Sequence, residues 1–250
     1  MEDAKQTENK EWFGEWFDTV YYHILYSHRD HQEAEVFLDN LTAFLQMKSG
    51  DKVLDLPCGK GRHASYLHEK GFVVEGADLS ANSIREAKKI EEPGLSFREH
   101  DIRDHYPSSD FNYVFNLFTS FGYFDTNPEN EDAFATLVGA MASGGVLVID
   151  FMNTHKIIQH LVAIEVKQIQ GITFTLKKYV RDGFITKEIA FEDKGQQYLF
   201  KERVKELYPA DFGSYLSQFG LQAKAEFGDY TLSAYDPSES DRYIVVATKS

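Results

Sequence analysis

The chain is short of cysteine, of positive charge and of long apolar runs. A single cysteine, Cys58, stands among 250 residues, so no intramolecular disulfide can form and a Cys/His metal cluster lacks its ligands. That points to a reducing compartment and to no bound metal. Lysine and arginine number 26 against 40 aspartates and glutamates, a net charge of −14. A phosphate-backbone binder carries an excess of basic residues, and nucleic acid therefore drops out as a principal partner. No stretch approaches the ~18 uninterrupted apolar residues of a membrane span, and the opening segment from Met1 to Glu11 is polar and acidic, without the apolar core of a leader. A soluble cytoplasmic protein with no membrane partner is expected. What the chain does have is apolar mass. Hydrophobic residues make up 42%, with 20 Phe and 14 Tyr, enough for the core of one large domain or one domain with an elaboration.

The pattern along the chain alternates strands and helices. Aromatic residues crowd Trp12 to Tyr26, and Phe37, Leu38, Leu41, Phe44 and Leu45 are spaced for one buried helical face, so two amino-terminal helices are predicted. Short apolar runs then alternate with helical patterns: Val53 to Leu56, a helix after Gly61, Phe72 to Ala77, a helix capped by Ser80, and Leu95 to Phe97. That order is the signature of a parallel sheet with right-handed crossovers. Tyr113 to Leu117 reads as a fourth strand. A helix carrying Phe134, Leu137, Val138 and Met141 follows, stopped by Gly144 and Gly145, and Val146 to Phe151 reads as a fully apolar fifth strand. After Asn153 the period changes to two. Ile172 to Leu176, Ile185 to Phe191 and Tyr198 to Val204, separated by turns at Asp182–Gly183 and Asp193–Gly195, predict an inserted antiparallel meander of about three strands. Pro209 opens a last helix that Gly220 ends, and the strands near Leu221 to Phe227 and Tyr243 to Thr248 have no helix between them, so they must pair antiparallel. The Asn40-Leu41-Thr42 glycosylation triplet falls inside a helix and is read as chance.

The chemistry concentrates at Val53-Leu54-Asp55-Leu56-Pro57-Cys58-Gly59-Lys60-Gly61-Arg62-His63, an apolar strand running through a glycine loop into a helix. Gly59 and Gly61 allow positive φ and close approach of a ligand to the backbone, as a nucleotide site needs. Asp78 closes the second strand where an acid accepts both ribose hydroxyls, and Asp101 follows the third, so Asp55, Asp78 and Asp101 share one rim of the sheet. A pyrophosphate at the helix start would face Asp55 with like charge. A ligand carrying an ammonium and a sulfonium would not. An NAD(P)-dependent oxidoreductase is the alternative that the loop and Asp78 allow and Asp55 disfavours.

Leu54 to His63 resembles motif I of the class I S-adenosylmethionine-dependent methyltransferases, and Gly76-Ala77-Asp78-Leu79-Ser80 resembles their acidic second motif. Asn116-Leu117-Phe118-Thr119-Ser120-Phe121-Gly122-Tyr123 is similar to the fourth-strand motif of the small-molecule branch, which includes amino-sugar and glycine N-methyltransferases. The likeness extends to Leu207-Tyr208-Pro209 and Asp241-Arg242-Tyr243. It implies an α/β fold: a Rossmann-like, seven-stranded, mostly parallel sheet with an antiparallel last strand, plus an inserted antiparallel meander and amino-terminal helices that cover the pocket. The organisation expected is a helical cap over 1–48, a cofactor-binding domain over 49–155 and 206–250, and an inserted sheet over 156–205.

By matching position, the resemblance implies that Asp55, Cys58, Gly59 and Gly61 surround the methionine part of S-adenosylmethionine. Asp78 takes the ribose, Leu79 flanks the adenine, and Asp101 with Ile102 meets its amino edge. Asn116 and Leu117 lie near the sulfonium. Tyr21, Tyr22 and Arg29 resemble cofactor-covering residues, with Arg29 placed for the cofactor carboxylate, and Tyr123 is expected on the substrate wall. Aromatic faces from Tyr22, Phe118 and Phe121 would sit around the sulfur. Cys58 reads as a small packing residue, His63 as a methionine contact or helix cap, and His23, His28, His31 and His100 as surface or packing groups. No catalytic residue is singled out, because the sulfonium already carries a good leaving group and the protein's task is alignment and exclusion of water. The expected activity is methyl transfer to a nitrogen or oxygen of a small molecule. A module that binds S-adenosylmethionine without turning it over is the non-enzymatic alternative.

Overall fold

The computed structural model of the protein describes residues 12–27 and 31–249; Arg29 and His28 lie outside them. The aromatic amino-terminal stretch is two short helices, not one: α1 (Trp12–Trp16) and α2 (Val20–Leu25). Thr19 separates them, because its extended backbone and its hydroxyl, which accepts the Tyr22 N–H at 3.1 Å, restart the helix. α3 (His31–Phe44) follows, giving three helices where two were expected. Asn40 sits inside α3 and donates to the Tyr230 carbonyl at 3.0 Å, so the glycosylation triplet is indeed helix interior.

The alternating region then builds β1 (Lys52–Asp55), α4 (Arg62–Glu69), β2 (Val73–Asp78), α5 (Ala81–Ala87), β3 (Leu95–Glu99), β4 (Phe111–Asn116), α6 (Asn127–Ala140) and β5 (Met141–Met152). Ser80 caps α5 as expected, its hydroxyl accepting the Ser83 N–H at 3.0 Å. Helix α6 starts on a Thr126–Glu129 capping box and ends at Ala140, earlier than expected, and β5 begins at Met141. The glycine pair that was read as a helix stop instead lies within β5, where Gly144 has φ +71°.

A seven-stranded sheet results, completed by β10 (Leu221–Phe227) and β11 (Arg242–Lys249), in the order β10-β11-β5-β4-β1-β2-β3. Strand β11 runs antiparallel to both of its neighbours, as the missing crossover helix required. Side chains alternate across this sheet: Val53 faces a core with α3, α4 and α5, while Leu54 faces one with α6 and α8 (Pro209–Gln218). Strand order reverses between β1 and β4, which puts a crevice at their carboxyl ends.

The elaboration comprises α7 (Thr154–Gln159) and four antiparallel strands, β6 (Ile164–Ile169), β7 (Ile172–Arg181), β8 (Phe184–Asp193) and β9 (Gln196–Lys205), in sequential order. One more strand is present than expected. In β6 the apolar residues Ile164 and Val166 face solvent, so its alternation marks no buried face and gives no core signal. Trp16, Leu25, Ile172, Phe174, Leu176, Ile189 and Phe191 form a third core that fastens α1 and α2 to this sheet. No helix among the described residues is long and apolar enough to cross a membrane. Phe174 is fully buried in this third core, and Phe174→Ala is expected to lower stability by about 3–5 kcal/mol in urea unfolding; a loss under about 1 kcal/mol would show that the contact does not hold the helices down.

Candidate functional site

At the crevice, β1 ends at Asp55 and the chain turns through Leu56–Gly61 into α4. Gly61 is the residue before α4 with φ +82°, and a Cβ there would lie 2.5 Å from Phe97 Cε1, so no other residue fits. Asp78, the last residue of β2, ties the loop down: its Oδ2 accepts the Gly59 N–H and its Oδ1 the Ser80 N–H, each at 2.8 Å. Burial raises the Asp78 pKa, and those two backbone N–H groups work against the rise. Asp55 lies behind the loop, fully buried, with no described side chain donating to either carboxylate oxygen. Burial, reinforced by the charge of Asp78, pushes its carboxyl up to about 8, with Arg62 and the Ala64 backbone N–H pulling weakly the other way.

The remaining expected residues take distinct places. Burial would raise Asp101, but the hydrogen bonds of Arg103, including Nη2 to Oδ2 at 2.6 Å, hold it below its ordinary value. Cys58 is buried, its thiol pushed up by burial, and its N–H donates to Ala77 O at 2.8 Å. Asn116 is buried at the end of β4; its Nδ2 donates to Leu56 O at 2.9 Å and Ser120 O at 3.3 Å, joining the glycine loop to the loop after β4.

These elements enclose a cavity of about 1030 Å³ between the two sheets and the amino-terminal helices. Tyr22, Cys58, Gly59, Asp78, Leu79, Asp101, Ile102, Leu117 and Tyr123 line it, whereas Asp55, Gly61 and Asn116 stand behind its wall. His63 also lines it, stacked on Phe118 with centroids 4.7 Å apart; it does not cap α4, since Gly61 holds that position. His23 and His100 are wall residues too, where surface or packing places were expected. Phe121 is not at the cavity. It is core, packed against Phe134, Phe212 and Tyr215, because the loop after β4 turns its side chain to the opposite face of the sheet from Phe118.

Sequence reasoning missed the far wall. Glu202 on β9 accepts Trp16 Nε1, Tyr26 OH and Lys187 Nζ, each at 2.7 Å, and although burial would raise it, Lys187 leads the groups that hold it below its ordinary value. Asp150 was hidden inside a strand read as fully apolar; an acid among Val148, Ile149 and Phe151 was the available signal. Its partner Tyr230 carries no local pattern, and Arg242, although in the Asp241-Arg242-Tyr243 segment of the resemblance, is too remote in sequence for its pairing with Asp150 to be read.

Residues 47–201 match the family described as "Methyltransferase domain". The chain is 25% identical over 235 residues to a glycine/sarcosine N-methyltransferase of Parasynechococcus marenigrum, covering 86% of this chain and 78% of that protein. Over 98 residues it is 30% identical to the dTDP-3-amino-3,4,6-trideoxy-alpha-D-glucopyranose N,N-dimethyltransferase of Streptomyces venezuelae, 39% of this chain and 41% of that one. Among solved structures, an S-adenosylmethionine-dependent methyltransferase from Clostridium acetobutylicum superposes with TM-score 0.78 at 18% identity, over 92% of this chain and 96% of that one. An amino pentose methyltransferase from Micromonospora echinaspora gives 0.70 at 19% identity, over 93% and 98%. The chain belongs to the methyltransferase-domain family, and the reading as an S-adenosylmethionine-dependent methyltransferase holds over the oxidoreductase alternative.

A carboxyl with a folded pKa above its unfolded value contributes stability that is fully present below the unfolded pKa, 3.8 here, and is lost as pH rises toward about 8. Without ligand, Asp55→Asn is therefore expected to flatten the fall of wild-type stability between about pH 4 and about pH 8. Urea titrations across that range check it; equal slopes in the two proteins would contradict a buried, uncompensated Asp55.

Proposed function

We propose that the protein transfers the methyl group of S-adenosylmethionine to a nitrogen of a small-molecule acceptor. Asp55 carries the reading: a fully buried carboxyl group to which no described side chain donates a hydrogen bond suits a cationic cofactor and opposes a pyrophosphate. When bound, the cofactor supplies a methyl on a sulfonium, which needs no further activation. The chain's part is to bind, orient and keep water out.

In this reading Asp78 accepts the ribose hydroxyls while its other lone pairs hold Gly59 and Ser80. Leu79 flanks the adenine, and Asp101 and Ile102 meet its amino edge. Backbone groups of Cys58 and Gly59 surround the methionine part, with Gly61 shaping the turn behind them, and its ammonium feels the field of Asp55. Leu117 lies beside the sulfur with Asn116 bracing the wall behind it, Tyr22 covers it from α2, and Arg29 is assigned to the carboxylate. Tyr123, packed edge-on against Trp12 at 5.3 Å, forms part of the acceptor wall. An acceptor amine attacks only when neutral, and His23, whose pKa burial and then Lys60 hold below the ordinary value, is a wall group able to take its proton. Nitrogen is favoured over oxygen because the relatives above are N-methyltransferases. The assigned division is a cap over 1–48, a cofactor domain over 49–155 and 206–250, and an inserted sheet over 156–205.

Calorimetric titration with S-adenosylmethionine, S-adenosylhomocysteine and NADH tests the cofactor: the first two should bind, and Asp78→Ala should weaken them by ~10–100-fold, the worth of hydrogen bonds to a charged group. Binding of the dinucleotide alone would overturn the reading. A mass-spectrometric screen of glycine, sarcosine and amino-sugar nucleotides then tests transfer, and cofactor binding with no methylated amine or alcohol in a broader panel would favour a non-catalytic module.

A further inference from the structure

Phe118 and Thr119, directly after Leu117, have φ of 58° and 59°. Neither is glycine. Two successive left-handed residues, one aromatic and one β-branched, form a costly backbone that persists only where its surroundings hold it.

Asp150 and Arg242 supply that hold. Asp150 on β5 is fully buried; its Oδ2 accepts the Phe118 N–H at 2.8 Å, and its backbone carbonyl accepts the Thr119 N–H at 2.9 Å. Arg242 opens β11 and pairs with Met152, which places it diagonally beside Asp150 across the ladder. Its Nε donates to Asp150 Oδ1 at 2.7 Å and its Nη2 to Thr119 Oγ1 at 3.0 Å. Tyr230 adds its hydroxyl to Asp150 Oδ2 at 3.2 Å and its ring to Phe118 at 5.2 Å. One carboxylate and one guanidinium thus grip both residues of the strained step.

What this step connects gives it a purpose. On one side lie Asn116 and Leu117, assigned to the cofactor; on the other lies Tyr123, assigned to the acceptor, whose hydroxyl donates to Thr119 O. We propose that Asp150 and Arg242 are positioning residues for methyl transfer, holding the Phe118–Thr119 step left-handed so that the donor and acceptor walls keep a fixed separation. The proposal rests on the methyl-transfer reading above. In-line displacement tolerates little misplacement, and a shift of about 1 Å costs ~100-fold in rate. A buried ion pair that merely closed the edge between β5 and β11 would have no such effect.

The test uses two mild variants of the full chain. Thr119→Val keeps shape and branching but cannot accept from Arg242, and Arg242→Lys keeps the charge beside Asp150 but cannot span both partners. In amide exchange by NMR without ligand, the Phe118 and Thr119 amides should exchange ~10-fold faster in both variants, with the strand amides of β4, β5 and β11 unchanged. With the acceptor found in the screen, kcat should fall ~10–100-fold while S-adenosylhomocysteine affinity stays within ~3-fold. Loop amides protected as in the wild type would overturn the proposal. So would loosened amides with unchanged kcat, or exchange rising across the whole sheet with a parallel loss of cofactor affinity. A wild type that methylates nothing defeats the methyl-transfer reading separately, and the exchange data still decide whether Arg242 holds the step.

Discussion

Burial of aspartate at the carboxyl ends of the central strands is the constraint on which the site depends. Removing a carboxylate from water costs several kcal/mol unless something replaces the lost hydrogen bonds. The protein answers in three ways within one sheet. Asp150 is compensated fully, by Arg242, a backbone N–H and a tyrosine hydroxyl. Asp78 is compensated by two backbone N–H groups, which also shape the loops on either side of it. Asp55 receives no hydrogen bond from any described side chain.

Enclosure depends on a second set of polar ties, between the amino-terminal helices and everything below them. Glu202 gathers Trp16 from α1, Tyr26 after α2 and Lys187 from β8 around one carboxylate. Asp18, between α1 and α2, bonds the Ser80 hydroxyl at 2.6 Å and also reaches Asn82, tying the helices to the start of α5. The same helices thus touch the inserted sheet on one side and the loop between β2 and α5 on the other. A cavity roofed in this way excludes water from a reaction whose chemistry needs alignment more than acid or base.

Much of this was legible in the sequence, because the parts that carry local signals are the parts assigned above to the cofactor. Glycine spacing, a terminal acid on each of two apolar strands and the Ser80 cap all act over a few residues. The antiparallel last strand was also readable, since a connection without a helix leaves no other pairing. Three features were not. Thr19 splits a helix whose aromatic content reads as continuous, β6 turns its apolar residues outward, and Phe121 packs inward although it sits in the site motif. The Asp150, Tyr230 and Arg242 group joins residues far apart in the chain: the pairing of β11 with β5 sets Arg242 beside Asp150, and the connection from β10 to β11 brings in Tyr230. The acid inside an otherwise apolar strand and the Asp241-Arg242-Tyr243 segment pointed to members of the group, not to their contact.

The most direct measurement is a crystal structure of the protein with S-adenosylhomocysteine. The nucleoside is expected between Asp78 and Asp101, the amino group of the ligand on the side of Asp55, and Phe118 and Thr119 still left-handed. A ligand seated elsewhere in the cavity, or a glycine loop holding phosphate in place of the amino acid part, would contradict the assignment of the buried aspartates to a cationic methyl donor.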